Sequence, residues 1–325
     1  MRVLVTGARG LLGSATAQAL RAEGHEVRVL QRSPSGLDVH ESLGDIRDDA
    51  AVRDAVRGCE AVVHLAALVG VVGTPQEFAS VNVEGTRTVL SAARDAGARV
   101  FIQVSSPSVA HVGHALVGAP AGPADPEGAR SPYARTKARA EQLALAADAP
   151  GFAVVAIRPH LVFGPGDTQL VEPIRRRARA GRLVAVGSGL ALIDTTVVQN
   201  AASAMVAALN RAEVAHGAAL VVSNGEPRTV VELLDAIAAT AGLPAVTRSI
   251  PLPVARAAGA LVESGWRVTR RRGEPPLTAF IAEQLGTAHW FDQRRTRELL
   301  QWRPAISLDE GLAALAETGP NEARR

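Results

Sequence analysis

The sequence predicts an α/β fold, a doubly wound parallel sheet with helices on both faces and a smaller, mainly C-terminal lobe. Three observations predict it. Short unbroken apolar runs alternate with helical patterns from the first residue. A glycine-rich turn joins the first run to the first helix. Past about residue 164 the rhythm loosens, broken by Pro165, Pro173, Pro227, Pro244, Pro251, Pro253, Pro275 and Pro276.

Residues 3–5 read as the first strand, 11–21 as a helix and 27–30 as the second strand. A helix over 49–57, a strand over 61–65, a helix over 77–96 and a strand over 100–104 follow. Residues 132–147 then read as a helix and 153–157 as a strand. These strands are short and lack polar alternation because a parallel sheet covered on both faces buries every side chain. Between them, 113–130 is a Gly/Ala/Pro-rich insertion that reads as a loop.

Composition excludes several classes. With 325 residues, 47% apolar and 3% aromatic, the chain carries an Ala/Val/Leu core and is not disordered. The best apolar run, 61–72, is interrupted by His64 and too short to span a bilayer. Arg2 leads straight into a strand and a glycine turn, which is not a signal-peptide pattern. A lone cysteine, Cys59, excludes an intrachain disulfide framework and a cysteine metal cage, and reads as a small buried hydrophobe. A reducing cytoplasm fits this composition. Lys and Arg total 35 against 32 acidic residues, a net charge of only +3, and only one of the 35 is lysine. That bias points to Lys being replaced by Arg wherever a cation has only to be soluble. The clusters Arg175, Arg176, Arg177, Arg179 and Arg270, Arg271, Arg272 have no interleaved aromatics, so nucleic acid is not indicated. No His or carboxylate spacing reads as a metal ligand set. Trp266, Trp290 and Trp302 read as packing anchors.

The turn Gly7-Ala8-Arg9-Gly10-Leu11-Leu12-Gly13 sits at the first strand–helix junction, the context that makes it a dinucleotide site. Gly7 allows the tight turn, Gly10 a close approach to a pyrophosphate, and Gly13 close helix–strand packing. At the end of the second strand a free ribose 2′-hydroxyl wants Asp or Glu; here Gln31-Arg32-Ser33 stands instead. Arg32 can pair a 2′-phosphate bidentately and Arg9 aims a second cation at the same corner. NADP(H) is therefore favoured over NAD(H). The expected division is a Rossmann-type NADP(H)-binding domain over 1–164, completed by parts of 190–224, with a substrate-binding lobe over 165–325 interleaved with it.

The chain has one tyrosine and one lysine, Tyr133 and Lys137, four apart on a helix that Ser131 can cap and Pro132 can open. Positions i and i+4 share a face. A phenol ionises near pKa ~10, so it works as a general acid or base only if its surroundings tune it. Lys137 is expected to favour the phenolate while reaching ribose hydroxyls. Ser105 and Ser106 close the strand over 100–104, at the sheet edge where ligands bind, and one of them can hold a substrate oxygen.

Glycine turn, serine pair and Tyr-x-x-x-Lys in that order resemble the extended short-chain dehydrogenase/reductase superfamily. The segments 104–109, 158–167, 273–278 and 287–292 resemble its 3β-hydroxysteroid dehydrogenase branch, which includes bacterial 2-alkyl-3-oxoalkanoate reductases and sterol 4-carboxylate dehydrogenases. The likeness covers nearly the whole chain. It implies Ser106, Tyr133 and Lys137 as the catalytic set. It also implies cofactor contacts from Asp45 and Ile46, from Leu65, Ala66 and Ala67, and from Pro159 and Leu161. Asn82 resembles the helix asparagine that supports the site's backbone and water relay. Ser108 and His160 are candidate substrate contacts, and Leu116, Val117 and Val162 candidate walls for an apolar ketone. Two departures stand out: Ala110-His111 where relatives carry an aromatic, and Gln199 where they carry Asp. Isomerase activity is not implied.

These residues predict an NADP(H)-linked oxidoreductase interconverting a secondary alcohol and a ketone on a hydrophobic molecule. An NAD-dependent nucleotide-sugar epimerase/dehydratase and a non-catalytic dinucleotide sensor are the alternatives. Gln31-Arg32 and the absence of an Asp-Glu pair after Ser106 oppose the first alternative; the intact Tyr133 and Lys137 oppose the second. Family habit implies a homodimer, and the apolar stretch 250–268 suggests weak peripheral membrane contact.

Overall fold

The computed structural model describes residues 1–70, 73–111, 113–269, 275 and 277–317. The cluster Arg270, Arg271 and Arg272, and Gly273, Glu274 and Pro276 of the branch-like segment, lie outside them. Seven parallel strands form the central sheet. In chain order the first are β1 (Arg2–Thr6), β2 (Glu26–Gln31), β3 (His40–Leu43), β4 (Ala61–His64) and β5 (Val100–Val104). A sixth, outside this sheet, is β6 (Leu116–Ala119), and β7 is Ala153–Pro159. From edge to edge the sheet runs Ala219–Val222, β7, β5, β4, β1, β2, β3. The chain winds outward from β1 to β3, then restarts at β4 on the other side of β1. That reversal opens a crevice at the carboxyl ends of β1 and β4, where open α/β sheets bind ligands.

Alternation along each strand assigns the two faces. Val3 and Val5 of β1, Ile102 of β5 and Val155 of β7 pack with Ala17 and Leu20 of α1 (Leu11–Ala22) and with Met205 and Leu209 of the helix Val198–Asn210. Leu4, Val62, Phe101 and Val154 point the other way. They meet Val52 and Val56 of α2 (Asp49–Val56), further residues from the helices that follow β4, and Ala144 of the helix carrying Tyr133. Alanine fills most helix contacts, so helices lie close to the sheet with few aromatics.

Three features depart from the sequence reading. Edge strand β3, His-Glu-Ser-Leu, has no apolar run because it is half solvated. The expected helix 77–96 is three pieces: α3 (Pro75–Ala79), a π-helical turn Ser80–Glu84, and α4 (Gly85–Asp95). The wide turn carries buried Asn82, whose bonds to other segments replace regular helix geometry. Third, the insertion 113–130 is not all loop. Its β6 pairs with His289–Phe291 at the edge of a second, four-stranded sheet that also holds Leu192–Ile193 and Arg228–Thr229. This sheet adjoins a separate core including Phe163, Ile193, Leu234 and Leu312.

The last core helix on the second face is α5 (Pro132–Leu145). Its Glu141 meets Arg158 of β7 in an ion pair whose side chains are 1% and 0% exposed. Arg158 Nε donates to Glu141 Oε2 at 2.8 Å and Nη2 to Oε1. Nη1 donates to the carbonyls of Ala121 and Gly122 in the insertion. Desolvating two charges is costly, and the attraction offsets it only when both partners and their remaining donors are satisfied.

Elsewhere, Cys59 is buried and Trp302 is anchored through Nε1 to Ser203 Oγ at 2.9 Å. The stretch 250–268 is largely the helix Leu252–Thr269, with Val254 and Leu261 exposed. Among the described residues no helix is long and apolar enough to cross a membrane.

Breaking the buried pair from one side should be far worse than removing it. Glu141→Leu, which strands a guanidinium, is expected to lose about 3–5 kcal/mol in urea denaturation. Combining it with Arg158→Met should recover part of that loss, and a double variant no better than the single would refute the pairing argument.

Candidate functional site

At the crevice, Gly7 adopts φ +77° because a side chain there would sit 2.8 Å from the Ala66 nitrogen. At Gly13 a Cβ would come within 2.2 Å of the Gly7 carbonyl oxygen. Gly10 is different: the nearest atom to its missing side chain is the Gly7 oxygen, at 3.5 Å. Gly10 caps α1 without a side-chain bond, and the first turn, with Leu11 and Leu12, has no acidic residue. An uncapped helix end behind an open glycine cradle fits a pyrophosphate. Leu65 and Ala66 follow β4, their N–H groups donating to the Thr6 carbonyl and Thr6 Oγ1 at 3.2 and 3.1 Å, and Ala67 continues that edge. His64 is buried behind them between the hydroxyls of Thr6 and Thr86, and burial holds its pKa down at about 3. It is a neutral strut.

At the ribose corner Arg32 is exposed, and Arg9 Nη1 donates to Ser33 Oγ at 3.1 Å. The sequence reading missed a carboxylate here. Glu41 of β3 accepts from the Gln31 amide and, at 2.9 Å, from the Ser35 N–H. Ser35, through its side chain first and then its N–H, keeps that carboxyl below the ordinary range, with Gln31 adding to it. Only the parallel register of β2 and β3, Arg28 opposite His40, brings it beside Gln31.

Three of the expected cofactor contacts are otherwise engaged. Ile46 is buried and packs where a Gly85 side chain would be, so its role is core packing. Asp45 is held bidentately by Arg47, with both bonds at 2.8 Å, which lowers its pKa to about 2. Asn82 accepts from the Leu68 N–H at 2.7 Å and donates to the Leu68 carbonyl and to Thr136 Oγ1 at 3.0 and 3.1 Å. Its polar atoms tie the segment after β4 to α5, which is a positioning role.

Ser131 Oγ caps α5 by accepting from the Ala134 N–H at 3.1 Å, with Pro132 opening the helix, so Tyr133 and Lys137 project from one face. The Tyr133 hydroxyl faces Ser106, which eases its ionisation. Ser106 Oγ accepts from the Ser108 N–H at 3.3 Å and the Ser108 hydroxyl at 2.9 Å. Ser105 is buried with its hydroxyl unpartnered, away from this chain of hydroxyls. The expected tuning of Tyr133 by Lys137 is reversed. Burial pushes the phenol up to about 12, Ser106 offsetting only part, while the Lys137 ammonium donates instead to the Val104 carbonyl. Burial draws Lys137 down to about 8, against the pull of Glu141. Burial, and not the neighbouring lysine, sets the phenol.

A cavity of about 190 Å³ opens beside Ser106 and Tyr133, between the two sheets. Leu116, Pro159, Leu161, Phe280 and Phe291 give it apolar walls. Leu116 was anticipated; Val117 is 62% exposed and, like Val162, is no part of the lining. Leu161 adopts φ +41°, a left-handed conformation uncommon for leucine, at the cavity wall. Three histidines also line the space: His111, His160 and His289. His289 Nε2 meets the Gln284 carbonyl at 2.7 Å and its Nδ1 meets His160 Nε2 at 3.0 Å. Burial keeps the pKa of His289 near 4 and that of His160 well below its ordinary value. Among the described residues, no group of His, Cys, Asp and Glu is arranged to hold a metal. Gln199 is exposed and does not reach the cavity, whereas His111 does. Sequence reasoning missed His289 as a cavity residue because 129 positions separate it from His160.

A model of the NAD dependent epimerase/dehydratase family matches residues 3–223. The chain is 41% identical to a 2-alkyl-3-oxoalkanoate reductase of Stenotrophomonas maltophilia, over 97% of its own length and 98% of that protein. It is 29% identical to the human sterol-4-alpha-carboxylate 3-dehydrogenase, decarboxylating, over 96% of its length and 86% of that protein. The structure of MoeE5 in complex with UDP-glucose and NAD matches over 98% of both chains, with a TM-score of 0.74 and 27% identity.

Lys137 should weaken the fold it serves. Its folded pKa, about 8, lies below the unfolded 10.5, so between these values the unfolded chain binds the extra proton and stability rises with pH. Lys137→Met should therefore be stabilised relative to the parent at pH 7 by up to about 3 kcal/mol, the advantage shrinking as pH climbs from 8 toward 10.5. Thermal melts of both proteins across that range test it; parallel curves would contradict the burial argument.

Proposed function

We propose that this chain, which belongs to the NAD dependent epimerase/dehydratase family and is an oxidoreductase acting on hydroxyl or keto groups, reduces a ketone on a hydrophobic molecule with NADPH. One observation carries the direction. Tyr133 stands as a neutral phenol beside Ser106, and both line an apolar cavity. Reduction needs a proton donor at the ketone oxygen, and a phenol held up at about 12 keeps its proton throughout the neutral range.

A bound reduced nicotinamide supplies the hydride. The chain supplies everything else. Ser106, itself oriented by Ser108, donates to the ketone oxygen as charge develops there. Tyr133 gives that oxygen its proton and becomes a phenolate. Lys137, one helical turn on, is the cation available to balance the phenolate. Asn82 keeps α5 and the segment after β4 in register. The apolar walls exclude water from the reacting centre and argue against a sugar nucleotide as substrate. A 2-alkyl-3-oxoalkanoate, the class named for the relative at 41% identity, fits such walls.

The choice of NADPH rests on Arg32 and Arg9 at the ribose corner. Glu41, held by Gln31 and Ser35 and therefore less available to a ribose hydroxyl, remains a carboxylate whose charge the two arginines must outweigh. Titration of the purified protein with NADPH and NADH tests this. Arg32→Ala should weaken NADPH about 10- to 100-fold, the worth of a charge-assisted bond, and leave NADH within about threefold. Tight NADH binding with Arg32 irrelevant would overturn the NADPH assignment. Tyr133→Phe should lower kcat by about 10²- to 10⁴-fold while NADPH still binds; unchanged turnover would remove Tyr133 from the mechanism.

A further inference from the structure

His111 has no structural employment. Its side chain is buried, 3% exposed, and neither ring nitrogen has a hydrogen-bond partner among the described residues. Buried polar atoms are nearly always paired, so two orphans on one ring are an exception that asks for a missing partner. The ring lines the same cavity as Ser106 and Tyr133. It is placed there by a short 3₁₀ turn, Pro107–Ala110, that Ser106 caps, and its own N–H bonds back to the Ser108 carbonyl at 3.3 Å.

No carboxylate competes for the ring inside the cavity: among the described residues no Lys, Arg, Asp or Glu lines it. Outside the lining, Glu283, which favours protonation of His111, is itself bound by Arg130 and Arg256 at 2.7 and 2.9 Å. Two relatives add a chemical constraint. A 2-alkyl-3-oxoalkanoate and a sterol 4-carboxylate reacting at carbon 3 share one arrangement: a carboxylate on the carbon next to the one that reacts. An acid of that kind with its ketone oxygen at Ser106 and Tyr133 must place its carboxylate in the same small cavity.

We propose that His111 recognises the carboxylate of a 3-oxo acid whose ketone oxygen lies between Ser106 and Tyr133. This rests on the ketoreductase reading above and names its substrate class. Burial, opposed by Glu283 and aided by Arg130 and His114, lowers the pKa of His111 and favours its neutral form. His160 and His289 share the cavity and are themselves held neutral, and Tyr133 is an uncharged phenol. Among the described residues, then, no other cation lines the space to meet the anion. A carboxylate beside the ring reverses the balance by pairing with the imidazolium, so substrate binding takes up a proton.

The test compares a 2-alkyl-3-hydroxyalkanoate with its methyl ester, both oxidised with NADP⁺ by the wild type, His111→Gln and His111→Leu. The wild type should prefer the acid, and the acid-to-ester ratio of kcat/KM should fall at least tenfold in His111→Leu. The acid's KM should rise with pH, by up to tenfold per unit above the free imidazole pKa, while the ester's does not; His111→Gln should flatten that slope. A ratio and slope unchanged in both variants overturn the His111 assignment alone. Failure of the wild type to oxidise either compound overturns the ketoreductase reading, and this assignment with it.

Discussion

Most of the site's geometry depends on one buried ion pair. Arg158 closes the strand next to β5, Glu141 lies on the helix bearing Tyr133 and Lys137, and the carbonyls of Ala121 and Gly122 belong to the insertion that ends in the second sheet. A single guanidinium thus sets three separate pieces of chain relative to one another. Its planar fork suits that position, because two donors go to a carboxylate and another to backbone carbonyls, an arrangement a lysine ammonium could not reproduce. A chain rich in arginine for compositional reasons uses this one for its geometry.

Desolvation is the second governing effect. Tyr133, Lys137, His64, His160 and His289 all lie where water is scarce, and each is pushed toward its uncharged form. In the neutral range the phenol and the three imidazoles are therefore uncharged, and Lys137, at about 8, is the one of the five that keeps its charge. Further charge appears only when a ligand or a reacting oxygen brings it, and there it meets groups whose reorganisation has already been limited by packing. The same burial explains why the lysine is set against the Val104 carbonyl instead of against the phenol.

Much of this was legible in the chain itself, for identifiable reasons. Strand β1, the glycine turn and α5 carry local signals: an apolar run, a positive φ that only glycine takes easily, a capping serine before proline. Those signals place Gly7, Tyr133 and Lys137 without any tertiary knowledge, whereas Ser106 was separated from Ser105 only by family resemblance. Strand β3 was not legible because an edge strand has no apolar pattern, and with it went Glu41. The π-helical turn was hidden because Asn82 departs from helical spacing to satisfy bonds with Leu68 and Thr136, both distant in sequence. His289 and Phe291 join the cavity only through the pairing of their strand with β6, a contact between segments some 170 positions apart. No local pattern encodes that.

The cavity is built from two sources that share little else. Ser106, Tyr133 and Pro159 sit on elements of the large sheet, whereas Leu116, His289 and Phe291 come from the small one. The reacting groups and one side of the wall are consequently held by different sheets, and a change in one need not disturb the other. Descendants of such a chain can exchange one hydrophobic substrate for another through drift in the small sheet and its flanking helices, keeping the proton relay intact. The division of the pocket between two sheets is thus a form of evolvability, in which selectivity is the variable and the chemistry is inherited.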